Sequence, residues 1–195
     1  MTLTFDPKTH IYRVDGYRKS SITGIINAGG LVDSQWFTEE AAFRGSVVHR
    51  CTELEDKGTL QESSVDPGAV GFLESWRTFK RQTGFIPLVI EKRHYNETHD
   101  YCGTPDRFGV MGNGDRAVVE LKTGEVQKWC KVQLAGQLGF IEPSLRGLYR
   151  RFGVRLKSDG IPTVTEYPRE DMPSDWAAFL ACLTISNWKR VNNAN

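Results

Sequence analysis

A four-residue break, Gly112-Asn113-Gly114-Asp115, constrains this chain more than any other stretch. Glycine and asparagine accept the positive φ angles of tight turns, so the break reads as the bend of a β-hairpin. Beyond it, Ala117-Val118-Val119-Glu120-Leu121-Lys122 is β-branched and apolar, the composition of a buried strand. Alternation puts Glu120 and Lys122 on one face and Val119 and Leu121 on the other. Before the break, Gly103-Thr104-Pro105-Asp106-Arg107-Phe108-Gly109 folds back alongside and can bring Asp106 next to Glu120. Two carboxylates and a lysine then converge on one point, an arrangement able to hold a hard divalent cation and polarise a water. A Glu-x-Lys pair alone on a strand is ordinarily a solvated surface feature; the carboxylate at hairpin spacing is what distinguishes this one.

The remaining elements follow in order along the chain. Residues 2–5 and 11–14 alternate around Asp6-Pro7-Lys8 as an opening hairpin, and Asp15-Gly16 marks a second turn. Ser20-Ser21-Ile22-Thr23 precedes a short capped helix that stops near Gly29-Gly30. Residues 34–56 are predicted helical, with Phe37, Ala41, Val48 and Cys51 at helical spacing and Gly58 as the stop. Gly45 and His49 are four apart, hence on one face, and the missing side chain leaves room beside the histidine for a metal or a phosphate; a hydrogen-bonded core histidine is the alternative. Asp66-Pro67 has the form of a helix start, followed by an apolar stripe of Ala69, Phe72, Trp76 and Phe79 that ends at Gly84. Phe85 to Tyr95 is rich in β formers and reads as one strand, with Val89, Glu91 and Arg93 on one face. After Thr123-Gly124 a helix of about 126–141 places Gln133 and Gln137 one turn apart, with Leu134, Leu138 and Ile141 toward the core. Residues 146–156 and 161–167 flank Ser158-Asp159-Gly160 as a third hairpin. Asp171 to Asn187 closes the chain as an amphipathic helix capped by Ser174 or Asp175, with Trp176, Phe179, Leu180 and Leu183 on its apolar face and a fraying Asn-Asn-Ala-Asn end.

Composition narrows the class. At 195 residues and 39% hydrophobic content, the chain suits one domain with a sizeable core. No run of 18 apolar residues and no signal-peptide pattern occur, which points to a cytoplasmic protein without a membrane partner. A net charge of +1 does not advertise nucleic-acid binding, although Arg13, Arg18 and Lys19 cluster near the start, and Arg146, Arg150, Arg151, Arg155 and Lys157 near the end. The four cysteines, Cys51, Cys102, Cys130 and Cys182, are widely spaced without a C-x-x-C, so free buried thiols are expected rather than zinc.

Pro105-Asp106 followed by Glu120-Leu121-Lys122 resembles the PD-(D/E)XK motif of metal-dependent nucleases. The surroundings resemble the RecB-like branch, which includes phage-type recombination exonucleases. That branch has an upstream Gly-x-x-x-His, here Gly45 to His49, and a downstream helix with Gln-x-x-x-Tyr, here Gln133 to Gln137, where glutamine replaces tyrosine. The likeness spans roughly residues 40–140. It implies an α/β (α+β) restriction-endonuclease-like core over about 34–142, a central mixed sheet flanked by helices, with an added N-terminal hairpin and an added C-terminal hairpin plus helix. It also implies Mg²⁺ or Mn²⁺, one ion or two, held by Asp106, Glu120, the main-chain carbonyl of Leu121 and His49, with Glu91 a further candidate. Lys122 would orient the attacking water, Gln133 would orient the lysine or touch the substrate backbone, and Arg44 and Gln137 would contact substrate. The iron–sulfur cluster of some relatives needs a downstream cysteine trio that this chain lacks. The implied partner is DNA, with a single-strand annealing protein and a homo-oligomer by analogy alone. An exonuclease is the first reading; a flap or branched-DNA endonuclease, a non-cutting nuclease-like binding module and an unrelated interaction protein are the alternatives.

Overall fold

The computed structural model describes residues 1–32 and 38–193. In chain order its elements are β1 (Leu3–Asp6), β2 (Ile11–Val14), β3 (Tyr17–Ser21), α1 (Ile22–Ala28), α2 (Glu39–Asp56), α3 (Val70–Thr83), β4 (Ile86–Ile90), β5 (His94–Asn96), β6 (Tyr101–Gly103), β7 (Arg107–Val110), β8 (Arg116–Lys122), α4 (Cys130–Leu138), β9 (Tyr149–Arg155), β10 (Thr163–Tyr167) and α5 (Met172–Asn192). They form a mixed α/β structure with two mixed five-stranded sheets, ordered β1-β2-β3-β6-β5 and β10-β9-β8-β7-β4. Each sheet contains one parallel pair, β3 with β6 and β8 with β9. Parallel neighbours need a crossover, and α4 lies on the one between β8 and β9.

The central hairpin forms where the glycines require it. Arg107 pairs with Val119 and Phe108 with Val118. Gly114 sits at φ 87°, the left-handed region, and Asn113 Oδ1 accepts the Asp115 amide at 3.1 Å. Strand alternation then sorts β8. Ala117, Val119 and Leu121 pack with Val48 of α2 and with Leu73, Trp76 and Phe79 of α3. Val118 packs with Leu134, Ala135 and Leu138 of α4. Glu120 and Lys122 share the face of Val118 and therefore meet α4.

Much of the sequence reading matches. The opening strands pair as β1, β2 and β3 with the turn at Asp15-Gly16, and Ser21 caps α1 by accepting the Gly24 amide at 3.1 Å. Five points differ. The helix expected over 34–56 runs from Glu39 to Asp56 with Thr38 as its cap, accepting the Ala41 amide; residues 34–37, Phe37 included, lie outside the described residues. Asp66 and Pro67 open a turn, closed by the Gly68 amide on Asp66 Oδ1, and the helix begins only at Val70. The strand expected over 85–95 is two strands in different sheets, because the chain breaks at Glu91, where φ is 47°. The helix expected over about 126–141 is confined to Cys130–Leu138. Neither Ser174 nor Asp175 caps α5: the Ser174 hydroxyl donates to the Asp171 carbonyl, and Asp175 is buried against Arg151 at 2.7 Å. That helix also runs on to Asn192, and the last two residues of the expected fraying end are outside the described region.

The C-terminal hairpin is not an appendage. β9 pairs with β8 along the latter's full length, so β9 and β10 complete the central sheet. All four cysteines are free and buried. Burial pushes the Cys102 thiol up to about 11 and the Cys130 thiol up to about 12, which keeps both protonated and unreactive.

One close approach locks α3 to the turn between β9 and β10. A Cβ built on Gly71 would collide with the Ser158 carbonyl, a backbone atom that cannot rotate away. Alanine in a helix is worth about 1 kcal/mol over glycine, whereas overpacking of this kind costs about 1–3 kcal/mol. Gly71→Ala should therefore lower the stability measured by urea unfolding; an unchanged or raised midpoint would contradict the close contact.

Candidate functional site

The site forms where β7 begins and β8 ends, between α2 on one side of the central sheet and α4 on the other. Asp106 immediately precedes β7, and its Oδ2 accepts the amide of Leu121 at 2.7 Å. This bond ties the start of one strand to the end of its neighbour beyond their last ladder pair. In an extended strand the N–H and C=O of one residue point to the same edge. The Leu121 amide faces Asp106, and the Lys122 carbonyl accepts the Leu156 amide on the opposite edge. The Leu121 carbonyl is accordingly directed to the Asp106 edge.

Three side chains from three separate segments meet there, His49 from α2, Glu91 from the loop after β4 and Asp106 from just before β7. His49 Nδ1 lies 3.3 Å from Glu91 Oε1 and 3.5 Å from Asp106 Oδ1. One ligand atom from each of His49, Glu91 and Asp106 falls within 4.8 Å of the other two, a grouping that could hold a metal ion. Glu91 reaches this point because of its backbone. It sits just after Ile90, the last residue of β4, and its left-handed conformation takes the chain out of the strand. Its amide donates to the Asp106 carbonyl at 3.0 Å.

A second group lies under α4. Glu120 Oε1 accepts from Lys122 Nζ and from Gln133 Nε2, each at 2.7 Å, and its Oε2 accepts from Gln137 Nε2 at 2.6 Å. Lys122 Nζ also donates to Gln133 Oε1 at 3.1 Å and stands 5.2 Å from the centre of the Trp129 ring. Gln133 and Gln137 are buried, and Gln137 Oε1 has no partner among the described residues.

Charge governs the site. Burial pushes the Asp106 carboxyl up to about 7, and the nearby Glu120 carboxylate adds to the rise. Burial works against the His49 imidazolium, but Asp106, Glu91 and Glu120 together outweigh it and lift the ring to about 9. Lys122 is likewise opposed by burial and held above its usual range by its anionic neighbours, Glu120 first among them. The donor set of one imidazole and two carboxylates suits a divalent cation, which would replace the proton on His49 as the local positive charge.

The structure thus brings together His49, Glu91 and Asp106, with Leu121 beside them, and separately Glu120, Lys122, Gln133 and Gln137. Glu120 lies outside the three-residue group, its oxygens engaged by the lysine and the two amides. Arg44 joins neither group. It lines a cavity of about 210 Å³ with Phe43, Val47 and Asp66, and its Nε has no partner among the described residues. Among the described residues a Cβ on Gly45 would meet Thr123 Oγ1 at 3.8 Å, an ordinary contact, and would not press on His49. Lys19 pairs with Asp100 at 2.6 Å, and Arg18 lines a separate cavity of about 400 Å³ with His10 and Arg190.

Sequence reasoning missed Arg107 and Asp56. Arg107 is fully buried; its Nε donates to Asp56 Oδ2 at 2.7 Å, its Nη1 to the Asp106 carbonyl at 2.7 Å and to Glu91 Oε1 at 3.1 Å, and its Nη2 to Thr52 Oγ1 at 3.1 Å. The available signal was an arginine in a strand whose neighbours are otherwise apolar or glycine, a position that demands a buried partner.

No family model matches the chain, and no curated protein matches it. Among solved structures it is similar to an alkaline exonuclease, LHK-Exo, from Laribacter hongkongensis, at 16% identity and a TM-score of 0.40, over 90% of this chain and 93% of that one. It is similar also to LHK-Exo in complex with dAMP, at 17% identity and a TM-score of 0.32, with the same two coverages. Among the described residues no helix is long and apolar enough to cross a membrane.

The pKa of His49 makes the site pH-sensitive with a definite sign. Its folded value, about 9, exceeds the ordinary 6.5, so its contribution to stability is complete below pH 6.5 and lost as pH rises through 9. Metal-free protein in EDTA should lose on the order of 1–2 kcal/mol between pH 6 and pH 9.5 from this group. Urea unfolding of wild type and His49→Gln checks it: the variant should show a shallower fall, and identical slopes would rule the coupling out. Proton and cation compete for one nitrogen, so the rise in melting temperature on adding Mn²⁺ should grow over the same interval.

Proposed function

We propose that this protein is a divalent-metal-dependent DNA nuclease. The observation that carries the reading is the meeting of His49, Glu91 and Asp106 at one point beside the Glu120–Lys122–Gln133 group. Four sequence motifs separated by up to about 90 residues meet at one sheet end, which a chance match has no reason to produce. The sequence resemblance ranks an exonuclease of phage-type recombination first. Its implied annealing partner, oligomeric state and cytoplasmic location belong to that same resemblance, as does residues 1–195 acting as one nuclease domain.

His49, Glu91 and Asp106 would hold Mg²⁺ or Mn²⁺, with the Leu121 carbonyl as a further oxygen and Glu120 reaching the ion on release from one of its amide partners. A bound ion would supply Lewis acidity toward a phosphodiester and toward an attacking water. The chain's own residues supply the rest. Lys122, pinned between Glu120 and Gln133 and over the Trp129 ring, offers a fixed ammonium that orients a water and stabilises charge developing on the phosphate oxygens. Gln133 bonds both Glu120 and Lys122 and sets the angle between them. Gln137 holds the other Glu120 oxygen, so its role is in placing the acid, and its Oε1 has no partner among the described residues. Arg44, lining its own cavity along α2, would meet the backbone of a longer substrate.

Digestion of linear and circular DNA of equal length with Mn²⁺, Mg²⁺ or EDTA tests the reading. Linear substrate should disappear in the presence of either ion and survive in EDTA, with the circle left intact; cutting of a flapped or branched duplex at its junction, with plain linear DNA spared, would indicate the flap or branched-DNA endonuclease alternative. Asp106→Ala, Glu120→Ala and Lys122→Ala should each reduce cleavage by about 10²–10⁴-fold with native circular dichroism, and Gln133→Ala by less. Full activity in Lys122→Ala would refute the assignment. A fully folded wild type that neither cuts nor binds metal would favour the structural or interaction reading.

A further inference from the structure

We propose that Arg107 is a positioning residue for the metal centre, acting through Glu91 and anchored by a buried relay that runs from α3 through the end of α2. The inference rests on the metal-site reading above and extends it to residues that hold no ion themselves.

Glu91 reaches the centre from a loop, not from the body of a strand, and its backbone is in the left-handed region. A carboxylate so placed has no neighbouring ladder to orient it. Two contacts fix its Oε1: His49 Nδ1 at 3.3 Å and Arg107 Nη1 at 3.1 Å. The arginine is the one that cannot move. All three of its nitrogens are engaged across four partners on three segments: Asp56 and Thr52 of α2, Glu91, and the Asp106 carbonyl. That carbonyl also accepts the Glu91 amide, so a single oxygen joins the backbones of both acidic residues to the guanidinium. Thr52 in turn donates to the His49 carbonyl at 3.0 Å, which links the same guanidinium to the third member of the site.

Asp56 anchors the arginine in place. It is itself fully enclosed and accepts from Trp76 Nε1 at 3.0 Å and Lys80 Nζ at 2.6 Å as well as from Arg107. A guanidinium held on four sides has no freedom to follow a carboxylate; the carboxylate must come to it. Arg107 also places a positive charge behind Glu91, which offsets the repulsion between Glu91 and Asp106 when both are ionised. A lysine at this position would keep the charge but lose the fork that reaches Asp56, Thr52 and Glu91 together.

A purely structural buried ion pair makes a different prediction from a positioning residue. Removing one partner of such a pair destabilises the fold regardless of Glu91. A residue that acts through Glu91 loses its effect on metal binding once Glu91 can no longer serve. The test is a double-mutant cycle on Mn²⁺ binding, read by electron paramagnetic resonance of free Mn²⁺, with Arg107→Lys, Glu91→Gln and the double variant. Arg107→Lys should weaken Mn²⁺ binding by about 10–100-fold in the wild-type background. In the Glu91→Gln background the same change should weaken it by less than about twofold. Equal losses in both backgrounds, or no loss in either, overturn the proposal. If Arg107→Lys does not fold, Thr52→Val removes a single bond from the guanidinium and is read through the same cycle, with a loss of about threefold expected in the wild-type background alone. Arg77→Met serves as a control, since Arg77 pairs with Glu55 and Glu62 away from the site and should leave Mn²⁺ binding unchanged. A wild type that binds no Mn²⁺ overturns the metal-site reading and this proposal with it, whereas a wild type that binds it and an Arg107→Lys that binds it equally well overturn this proposal alone.

Discussion

The repulsion among carboxylates gathered at one end of the central sheet is the constraint that the rest of the structure answers. Asp106 is almost wholly removed from water, Glu120 nearly so, and Glu91 lies beside them. Unscreened, such a cluster would not stay ionised together. The fold meets the problem by surrounding each acid with donors from a different element. Asp106 takes the Leu121 amide, Glu120 takes a lysine and two amides from α4, and Glu91 takes the buried arginine. His49 lies between two of them and is held in its charged form by their field. What looks like a list of separate contacts is one electrostatic arrangement distributed over α2, α4, β7, β8 and the loop after β4.

That distribution explains the sheet topology. A lone hairpin could present Asp106 and Glu120, but not enclose them. Pairing β9 parallel to β8 requires a crossover, and the crossover delivers α4 with its two glutamines over the face that carries Glu120 and Lys122. On the opposite face, Ala117, Val119 and Leu121 pack against α2 and α3, which fixes the register of α2 and so the height at which His49 meets the strand ends. Burial on both faces also makes slippage of β8 by one residue prohibitive, because it would drive Glu120 and Lys122 into the apolar layer under Trp76 and Phe79. The strand is therefore aligned by its apolar residues and used through its polar ones.

The sequence disclosed this division unevenly. Period-two alternation around Gly112-Asn113-Gly114-Asp115 made the hairpin and the facing of Glu120 and Lys122 readable, because those depend only on neighbours within about 20 residues. The same was true of the opening hairpin, of Ser21 as a cap and of the Phe72–Trp76–Phe79 stripe. The stretch from Phe85 to Tyr95 was misread for a specific reason. Its composition favours extended backbone throughout, yet Glu91 departs from it, since a tertiary bond between its amide and the Asp106 carbonyl and its contacts to His49 and Arg107 outweigh local propensity. Arg107 was legible only as an anomaly, and its partner Asp56 lies 51 positions away, beyond the reach of any periodicity. Gln133 and Gln137 read equally well as surface amides until the crossover placed them against Glu120.

A structural explanation for the whole cluster has to account for its cost. A buried ion pair is at best a modest source of stability, and well-packed apolar residues of similar volume would often do as well or better. Asp106 goes further, since its raised carboxyl means that ionising it works against the folded state at neutral pH. The left-handed backbone at Glu91 adds strain of its own, typically about 1–3 kcal/mol. Acids that each lower stability, aimed at one point and supported from behind by an arginine whose three nitrogens are all engaged, are what a site for a cation requires and what a core does not. The Arg151–Asp175 pair offers the internal comparison. It is equally buried and tightly bonded, it joins α5 to β9, and what is left over there is a donor, Arg151 Nε, which has no partner among the described residues. The difference between the two lies in the kind of group left over: Asp175 is met by two cations, Arg151 and Lys131, whereas Asp106, Glu91 and Glu120 gather close enough that their combined field holds a proton on His49.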